Sequence, residues 1–197
     1  MKIYRINNIT SPEFKQWFGN WEESDPFSSR NKEPSSHAVD KEGKPQVMYH
    51  GTTKDFPDFV VGLEGTNSGT FGSWKVKRHA IFFTPRAEDA EAFTSSGGKT
   101  FGGNIRPVYL DMKSPLDLRH GVWDYLDEFE EVGINPRWLK LFDWGHLDDE
   151  DGELFVNAAK KLGYDSIIFM DENPETGDEM ETYAVFDPLQ VRSIYEV

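Results

Sequence analysis

The stretch VMYHGTTKDF, residues 47–56, joins a short apolar run to a histidine, a glycine and a threonine. The run at residues 46–50 predicts a β-strand that ends at His50-Gly51-Thr52. Gly51 has no side chain and exposes its main chain to a ligand, and His50 offers a ring nitrogen. The same residues also fit an ordinary strand end with a turn glycine and a surface histidine. This stretch alone leaves both interpretations open.

Composition limits the class of protein. The chain has 197 residues, 37% of them hydrophobic and 14% aromatic, which is enough for one core and favours a strand-rich globular fold. Its net charge of −14 argues against binding nucleic acid or an anionic membrane through the field of the whole protein. The absence of cysteine excludes disulfides and a thiolate nucleophile and fits the cytoplasm. We expect no signal peptide and no membrane span, because no long apolar run is present.

The order of predicted elements indicates an α+β fold. Ser11 followed by Pro12 predicts the start of a short amphipathic helix. Strands are predicted over residues 46–50, 79–84, 105–112, 164–171, 181–188 and 190–197, and helices over residues 85–93, 122–133, 137–144 and 151–162. The glycine-rich residues 62–77 predict a long loop. We expect one domain, residues 1–197, with a core over residues 45–197 and an N-terminal helix and loop over residues 1–36.

Aromatic and acidic residues mark two further segments. Phe82 and Phe83 lie in the predicted second strand, and Phe93 closes the helix that follows. Paired aromatic rings can hold a flat heteroaromatic ring, although core packing explains Phe83 equally well. Glu179 and Glu181 stand at the entrance of a later strand, where carboxylates can bind a sugar hydroxyl or stabilise a cation. The neighbouring acidic residues fit a solvated turn.

As a set, YHGT, AIFFT leading to Phe93, and ETYAVFD resemble the ADP-ribosyltransferase fold, in the histidine-type branch of diphtheria-like toxins and poly(ADP-ribose) polymerases. The wider series SPEFKQWFGNW, GKPQVMYHGT, AIFFTPRAEDAEAF, RPVYLDMKSPLDL, GYDSII and YAVFDPLQVRSI is similar to the ADP-ribosyltransferase-like domains of phage polyvalent proteins, over nearly the whole chain. The resemblance implies a split β-sandwich with short peripheral helices. It also implies a mono-ADP-ribosyltransferase that moves ADP-ribose from NAD+ to a macromolecular acceptor and releases nicotinamide.

The resemblance also assigns binding residues. It implies that His50 hydrogen-bonds the adenosine ribose of NAD+, that the main chain of Gly51 meets the nicotinamide amide, and that Thr52 supports this loop. It places residues 62–77 over the dinucleotide.

The second strand and its helix supply the ring-binding residues in the same resemblance. Phe82 stands where the family has its first tyrosine, and Phe93 where it has the stacking tyrosine. These two are expected to frame the nicotinamide ring, with Phe83 and Thr84 beside them.

The carboxylate that stabilises the ribose cation has more than one candidate. Alignment with the family pattern E-Y-I-V-Y-D puts Thr182 at the glutamate. Glu181 lies one residue earlier, and one step along a strand turns a side chain to the other face unless a bulge intervenes. We predict that Glu181 and His50 are catalytic and that Glu179, which shares the face of Glu181, assists. The alternative is a catalytically inactive NAD+-binding or interaction module of the same fold.

Spacing excludes two other functions. Residues 97–100, GGKT, look like part of a phosphate-binding loop, but the upstream glycine is missing and a helix precedes them. The histidines show no paired spacing, so we expect no metal site; they are His37, His50, His79, His120 and His146.

The acceptor is not readable from the residues, although the acidic balance favours a protein over nucleic acid. The resemblance suggests a toxin or phage factor in the cytoplasm of a bacterial or infected cell, or in a target cell after delivery. It further suggests a neutralising antitoxin or immunity partner.

Overall fold

The structure, a computed structural model, describes residues 5–23, 35–62, 77–96, 99–100, 103–142 and 147–196. Within them the helices are α1 Pro12–Phe18, α2 Ala87–Glu91, α3 Leu126–Glu131, α4 Pro136–Leu139 and α5 Asp149–Lys161. The strands are β1 Arg5–Ile6, β2 Met48–Thr52, β3 Ile81–Phe83, β4 Ser95–Ser96, β5 Lys99–Thr100, β6 Asn104–Leu110, β7 Pro115–Asp117, β8 Ser166–Glu172, β9 Glu179–Val185, β10 Val191–Ser193 and β11 Tyr195–Glu196. No helix in this part of the chain is long and apolar enough to cross a membrane.

Two sheets form the body of the fold. One has the order β10-β6-β2 and is antiparallel, and the other has the order β3-β9-β8-β7 with only β7 and β8 parallel. β8 and β9 form a continuous hairpin from the pair Ser166 and Val185 to the pair Glu172 and Glu179. The two sheets meet where Tyr49, in β2, pairs with Thr84, just after β3.

The core is split by the four-stranded sheet. One face packs apolar residues of β8 and β9 against α3 and α5, through Ile167, Phe169, Ala184, Phe129 and Phe155. The other face packs against the three-stranded sheet, through Ile168, Val185, Phe83, Met48, Val108 and Leu110. Alternating side chains supply both faces because successive residues of a strand point to opposite sides. Sheets and helices in separate layers give the α+β class that the element order predicts.

Helix α1 covers the outer side of the three-stranded sheet. Its first turn is fixed by the Ser11 hydroxyl, which accepts a hydrogen bond from the Phe14 N–H at 3.1 Å, and by Pro12 at the first helical position. Phe14 and Phe18 are buried against Tyr109 of β6. The predicted amphipathic helix therefore packs on the body of the protein through its aromatic face.

Several predicted bounds differ from the structure. The helix expected over residues 85–93 is only α2, and Phe93 lies in the turn after it, where its N–H donates to the Ala90 carbonyl. The helix expected over residues 122–133 begins as a 3-10 turn, Trp123–Tyr125, before α3. The last strand is interrupted at Ile194, whose N–H donates to Pro107. Most of the loop predicted at residues 62–77, and His146, lie outside the described residues.

Candidate active site

A cavity of about 250 Å³ opens where the two sheets meet. The main chains of Tyr49 and Thr84 exchange two hydrogen bonds there, at 2.9 and 3.0 Å. Beyond this junction β2 and β3 diverge, and the ends of both strands line the cavity together with β9 and the segment after β2. The recess therefore lies beside this junction, and the β9 residues that line it, Met180 and Thr182, stand on the face of the four-stranded sheet that also carries Phe169 and Ala184.

His50 is held in one orientation and one protonation state. Its Nδ1 lies 2.8 Å from the Phe82 carbonyl oxygen, which can only accept, so Nδ1 carries the proton and Nε2 keeps a lone pair. Removal of the ring from water, the largest cause, and the positive charges of Arg106 and Arg78 together lower the pKa of His50 from 6.5 to about 4, although the bond to Phe82 partly offsets them. His50 is therefore a neutral hydrogen-bond acceptor at neutral pH.

Gly51 lines the cavity and also makes a close packing contact. A Cβ atom at this position would overlap the Ala90 carbonyl oxygen of α2 and would lie 3.0 Å from the Phe93 Cβ. The glycine thus lets α2 and the turn after it approach β2 directly. The sequence pattern suggested exposed main chain at Gly51 but gave no sign of this helix contact.

The predicted ring-binding residues converge on the same recess. Phe82 and Phe93 are half-buried and both line it, and Thr52 and Thr84 line it as buried polar residues. Phe82 contacts Phe169 edge to face, with ring centroids 6.4 Å apart, and the Arg78 guanidinium lies 5.1 Å from its ring centroid. The structure therefore brings His50, Thr52, Phe82, Thr84 and Phe93 together at one recess.

Phe83 has a mainly structural position. It is 2% exposed and belongs to the core between the two sheets, and its ring lies 5.6 Å from the ring of His50. It therefore reaches the cavity as part of the packing behind His50.

An aromatic cluster that the sequence analysis missed completes one wall. Phe56 and Phe59, in the segment after β2, lie with ring centroids 6.1 and 5.1 Å from that of His50. Arg106, the β6 residue paired with His50, stacks over both phenylalanines at 4.4 and 5.2 Å. The only signal in the sequence was the aromatic content of residues 55–60, which have no strand or helix periodicity.

The structure does not bring Glu179 and Glu181 to this cavity. The β8–β9 register is continuous and has no bulge, so Met180 and Thr182 face the cavity while the two glutamates face the other side. Glu181, 36% exposed, accepts hydrogen bonds from Arg119 Nη1 at 3.0 Å and from the Tyr183 hydroxyl at 3.2 Å. The predicted catalytic carboxylate is thus one partner of a surface ion pair.

Arg119 ties this surface network together. It also donates to both carboxylate oxygens of Asp117, at 3.0 and 2.6 Å, and these bonds hold the pKa of Asp117 below its usual value. Glu179 is exposed at the end of the hairpin, directly opposite Glu172. Neither glutamate has a neighbour in the aromatic cluster around His50.

Thr182 occupies the position that faces the cavity. It is 4% exposed, and its Oγ1 is buried without a hydrogen-bond partner among the described residues. Buried hydroxyl groups are normally paired, so an orphaned one at a cavity wall suits a site that receives a polar ligand.

Comparison with known families fits this site. A family model described as ADP-Ribosyltransferase in polyvalent proteins matches residues 40–196. The chain belongs to this ADP-ribosyltransferase family. The similarity to phage polyvalent proteins that the sequence suggested is thereby confirmed. No curated protein and no solved structure matches the chain.

Every cavity residue named above lies within the segment that the ADP-ribosyltransferase family model covers, whereas α1 precedes it. The family assignment therefore applies to the part of the chain that builds the site. Within the described ranges, no cluster of three or more histidine or carboxylate side chains could hold a metal ion.

Proposed function

We propose that this ADP-ribosyltransferase domain binds NAD+ in the His50 cavity and transfers its ADP-ribose to one site on a protein acceptor, with release of nicotinamide. The observation that carries the proposal is the cavity itself. It combines a neutral, oriented histidine with aromatic walls in a chain of this family. Those are the features that would receive a sugar hydroxyl and a flat ring side by side.

The polar contribution comes from His50. A ribose hydroxyl of NAD+ donates a hydrogen bond to the Nε2 lone pair, which is available because Nδ1 already donates to Phe82. The low pKa of His50 keeps this acceptor intact across the physiological range. A protonated imidazole would instead repel the cationic nicotinamide ring.

The apolar contribution comes from Phe82 and Phe93, which both line the recess. They bind the nicotinamide ring by stacking. The cavity of about 250 Å³ lies below the usual size range of small-molecule pockets, so we assign it to the nicotinamide, its ribose and the adenosine-ribose hydroxyl at His50 rather than to the whole dinucleotide.

The reaction that these contacts serve is a substitution at the ribose carbon C1′. The bond between C1′ and the nicotinamide nitrogen breaks, and its electron pair neutralises the pyridinium ring. A lone pair of the acceptor forms the new bond to C1′, and the acceptor loses one proton. Binding and orientation by His50 and the two rings promote this step because the leaving group needs no acid.

We favour a protein as the acceptor because the net charge of −14 disfavours approach of a nucleic acid. Incubation with labelled NAD+ and a cell lysate, followed by separate protease and nuclease digestion, tests this choice. Label that survives nuclease and disappears with protease supports it, and the reverse result refutes it.

The central experiment measures nicotinamide release from NAD+ by the purified chain, with and without lysate, beside calorimetric binding of NAD+. We expect release in wild type, and loss of both release and binding in His50→Ala. His120→Ala, which changes an exposed histidine outside the cavity, is the matched control and should behave as wild type. Equal activity of His50→Ala and wild type would contradict the proposed site.

One observation favours a second candidate function, which is NAD+ binding without catalysis. Thr182, not a carboxylate, occupies the β9 position that faces the cavity. On this observation the domain would bind NAD+ without turning it over. Calorimetric binding of NAD+ with no nicotinamide release under any condition would select this candidate.

A further inference from the structure

Cleavage of the bond between C1′ and nicotinamide leaves positive charge on the ribose, and a nearby carboxylate is the usual way for a protein to stabilise such a cation. The carboxylates predicted from the sequence face the opposite side of β9. A transferase built on this cavity therefore needs its negative charge from another strand or loop.

Asp171, in β8, faces the cavity from the strand next to β9. In the hairpin register Phe169 is opposite Thr182, and Asp171 is opposite Met180. Directly paired residues of an antiparallel ladder share a face, as do residues two apart on one strand. Asp171 therefore lies on the same face as Thr182, one diagonal step away, and its half-buried side chain lines the cavity.

The diagonal distance between the two positions is short enough for a carboxylate at Asp171 to act in place of a glutamate at position 182. Cα atoms at diagonal positions of an antiparallel pair are about 7–8 Å apart, and the Cβ atoms are closer. From Thr182, Asp171 lies on the side of the β8–β9 turn. Phe82, which is paired with Ala184, lies on the other side of Thr182. The cavity wall therefore runs from an aromatic ring, through a hydroxyl, to a carboxylate.

Asp171 is better placed than the other carboxylates that line the recess. Asp55 and Asp58 also line it, but both are exposed and stand on the irregular segment after β2. Asp171 stands on a paired strand, and its Oδ1 accepts a hydrogen bond from the Glu172 N–H at 2.8 Å. This bond orients the carboxylate, and partial burial strengthens its field at the ribose.

We propose that Asp171 supplies the carboxylate that stabilises the ribose cation during ADP-ribose transfer, in place of a glutamate on β9. The inference rests on the proposed function. As the bond between C1′ and nicotinamide breaks, its electron pair leaves with nicotinamide, and the Asp171 carboxylate faces the positive ribose. The acceptor's lone pair then bonds to C1′, and the acceptor's proton passes to the Asp171 carboxylate and from there to water.

The test compares Asp171→Asn with Glu172→Gln in the full chain. Both changes remove one negative charge from β8 at nearly constant size, but Glu172 is exposed on the other face. We expect Asp171→Asn to lower the rate of nicotinamide release at saturating NAD+ by about 10²–10³-fold, with the Kd for NAD+ changed less than about threefold. Glu172→Gln should match wild type in both measurements.

A rescue variant separates a direct role from a structural one. In Asp171→Asn combined with Thr182→Glu, a carboxylate returns to the cavity from β9, and we expect much of the lost release rate to return. Asp171→Asn that binds NAD+ and releases nicotinamide at the wild-type rate would overturn this inference and leave the proposed function standing. Wild type that binds NAD+ but releases no nicotinamide would overturn both.

Discussion

The neutral, half-buried His50 ring leads to a quantitative prediction about pH. His50 has a pKa of about 4 in the folded chain and about 6.5 when unfolded. Above pH 6.5 the ring is neutral in both states, and its titration does not affect stability. As the pH falls from 6.5 toward 4, the unfolded chain takes up a proton that the folded chain resists, so the free energy of unfolding decreases.

The magnitude follows from the two pKa values. The loss is about 2 kcal/mol at pH 5 and levels off near 3 kcal/mol below pH 4. Carboxylates also make stability depend on pH over the same pH range. The quantity to measure is therefore the difference in stability between wild type and a variant without the histidine. His50→Asn is the matched variant because its side-chain amide can donate to the Phe82 carbonyl, as Nδ1 does, but does not titrate.

The assay is urea unfolding followed by tryptophan fluorescence at several pH values between 7.5 and 4. We expect the stability of wild type relative to His50→Asn to be constant above pH 7 and to fall by about 2 kcal/mol by pH 5. Parallel pH curves for the two chains would refute the reasoning, because the ring would then titrate equally in the folded and unfolded states. A rise in relative stability toward low pH would place a carboxylate beside the ring instead.

Three substitutions test other features of the site and its surroundings. Gly51→Ala should destabilise the fold by about 1–3 kcal/mol in urea unfolding, since the added Cβ would overlap the Ala90 carbonyl oxygen; unchanged stability would contradict that packing. Glu181→Gln should lower stability by less than about 1 kcal/mol, with the effect fading in high salt, since its bond to Arg119 is partly exposed; a larger loss would argue against a surface role. Phe59→Ala should lower stability by about 2 kcal/mol and weaken calorimetric NAD+ binding, whereas unchanged binding would exclude the aromatic wall from the site.

Much of the site could be predicted because its residues stand at the ends of regular strands. His50 and Phe82 belong to short apolar runs whose strand character is visible in the sequence, and the structure joins the two through one hydrogen bond. Phe93 was predicted to close the helix over residues 85–93, and it lies instead in the turn just after α2. Phe56 and Phe59 had no such signal, because tertiary contacts alone fold their segment around His50.

The carboxylates show where residue type and strand periodicity conflict, because alignment with the family places Thr182, and not a glutamate, at the position that faces the cavity. Alternation along β9 places Met180, Thr182 and Ala184 on one face, so Glu181 could reach the cavity only through a bulge, and the hairpin register has none. Asp171 was out of reach of sequence reasoning for another reason. Its place in the cavity depends on the pairing register between two strands, which is a property of the fold rather than of either strand.

The positions of Thr182 and Asp171 explain why a second carboxylate in this cavity would be destabilising. A glutamate at position 182 would place two negative charges on diagonal positions of one sheet face at the cavity, where at roughly 6 Å they repel by about 1–3 kcal/mol. Thr182→Glu should therefore destabilise the wild-type chain more than it destabilises the chain that already carries Asp171→Asn. A double-mutant cycle in urea measures this coupling. Additive effects would mean that the two side chains do not share the cavity face, and the assignment of Asp171 to the ribose would then lose its geometric basis.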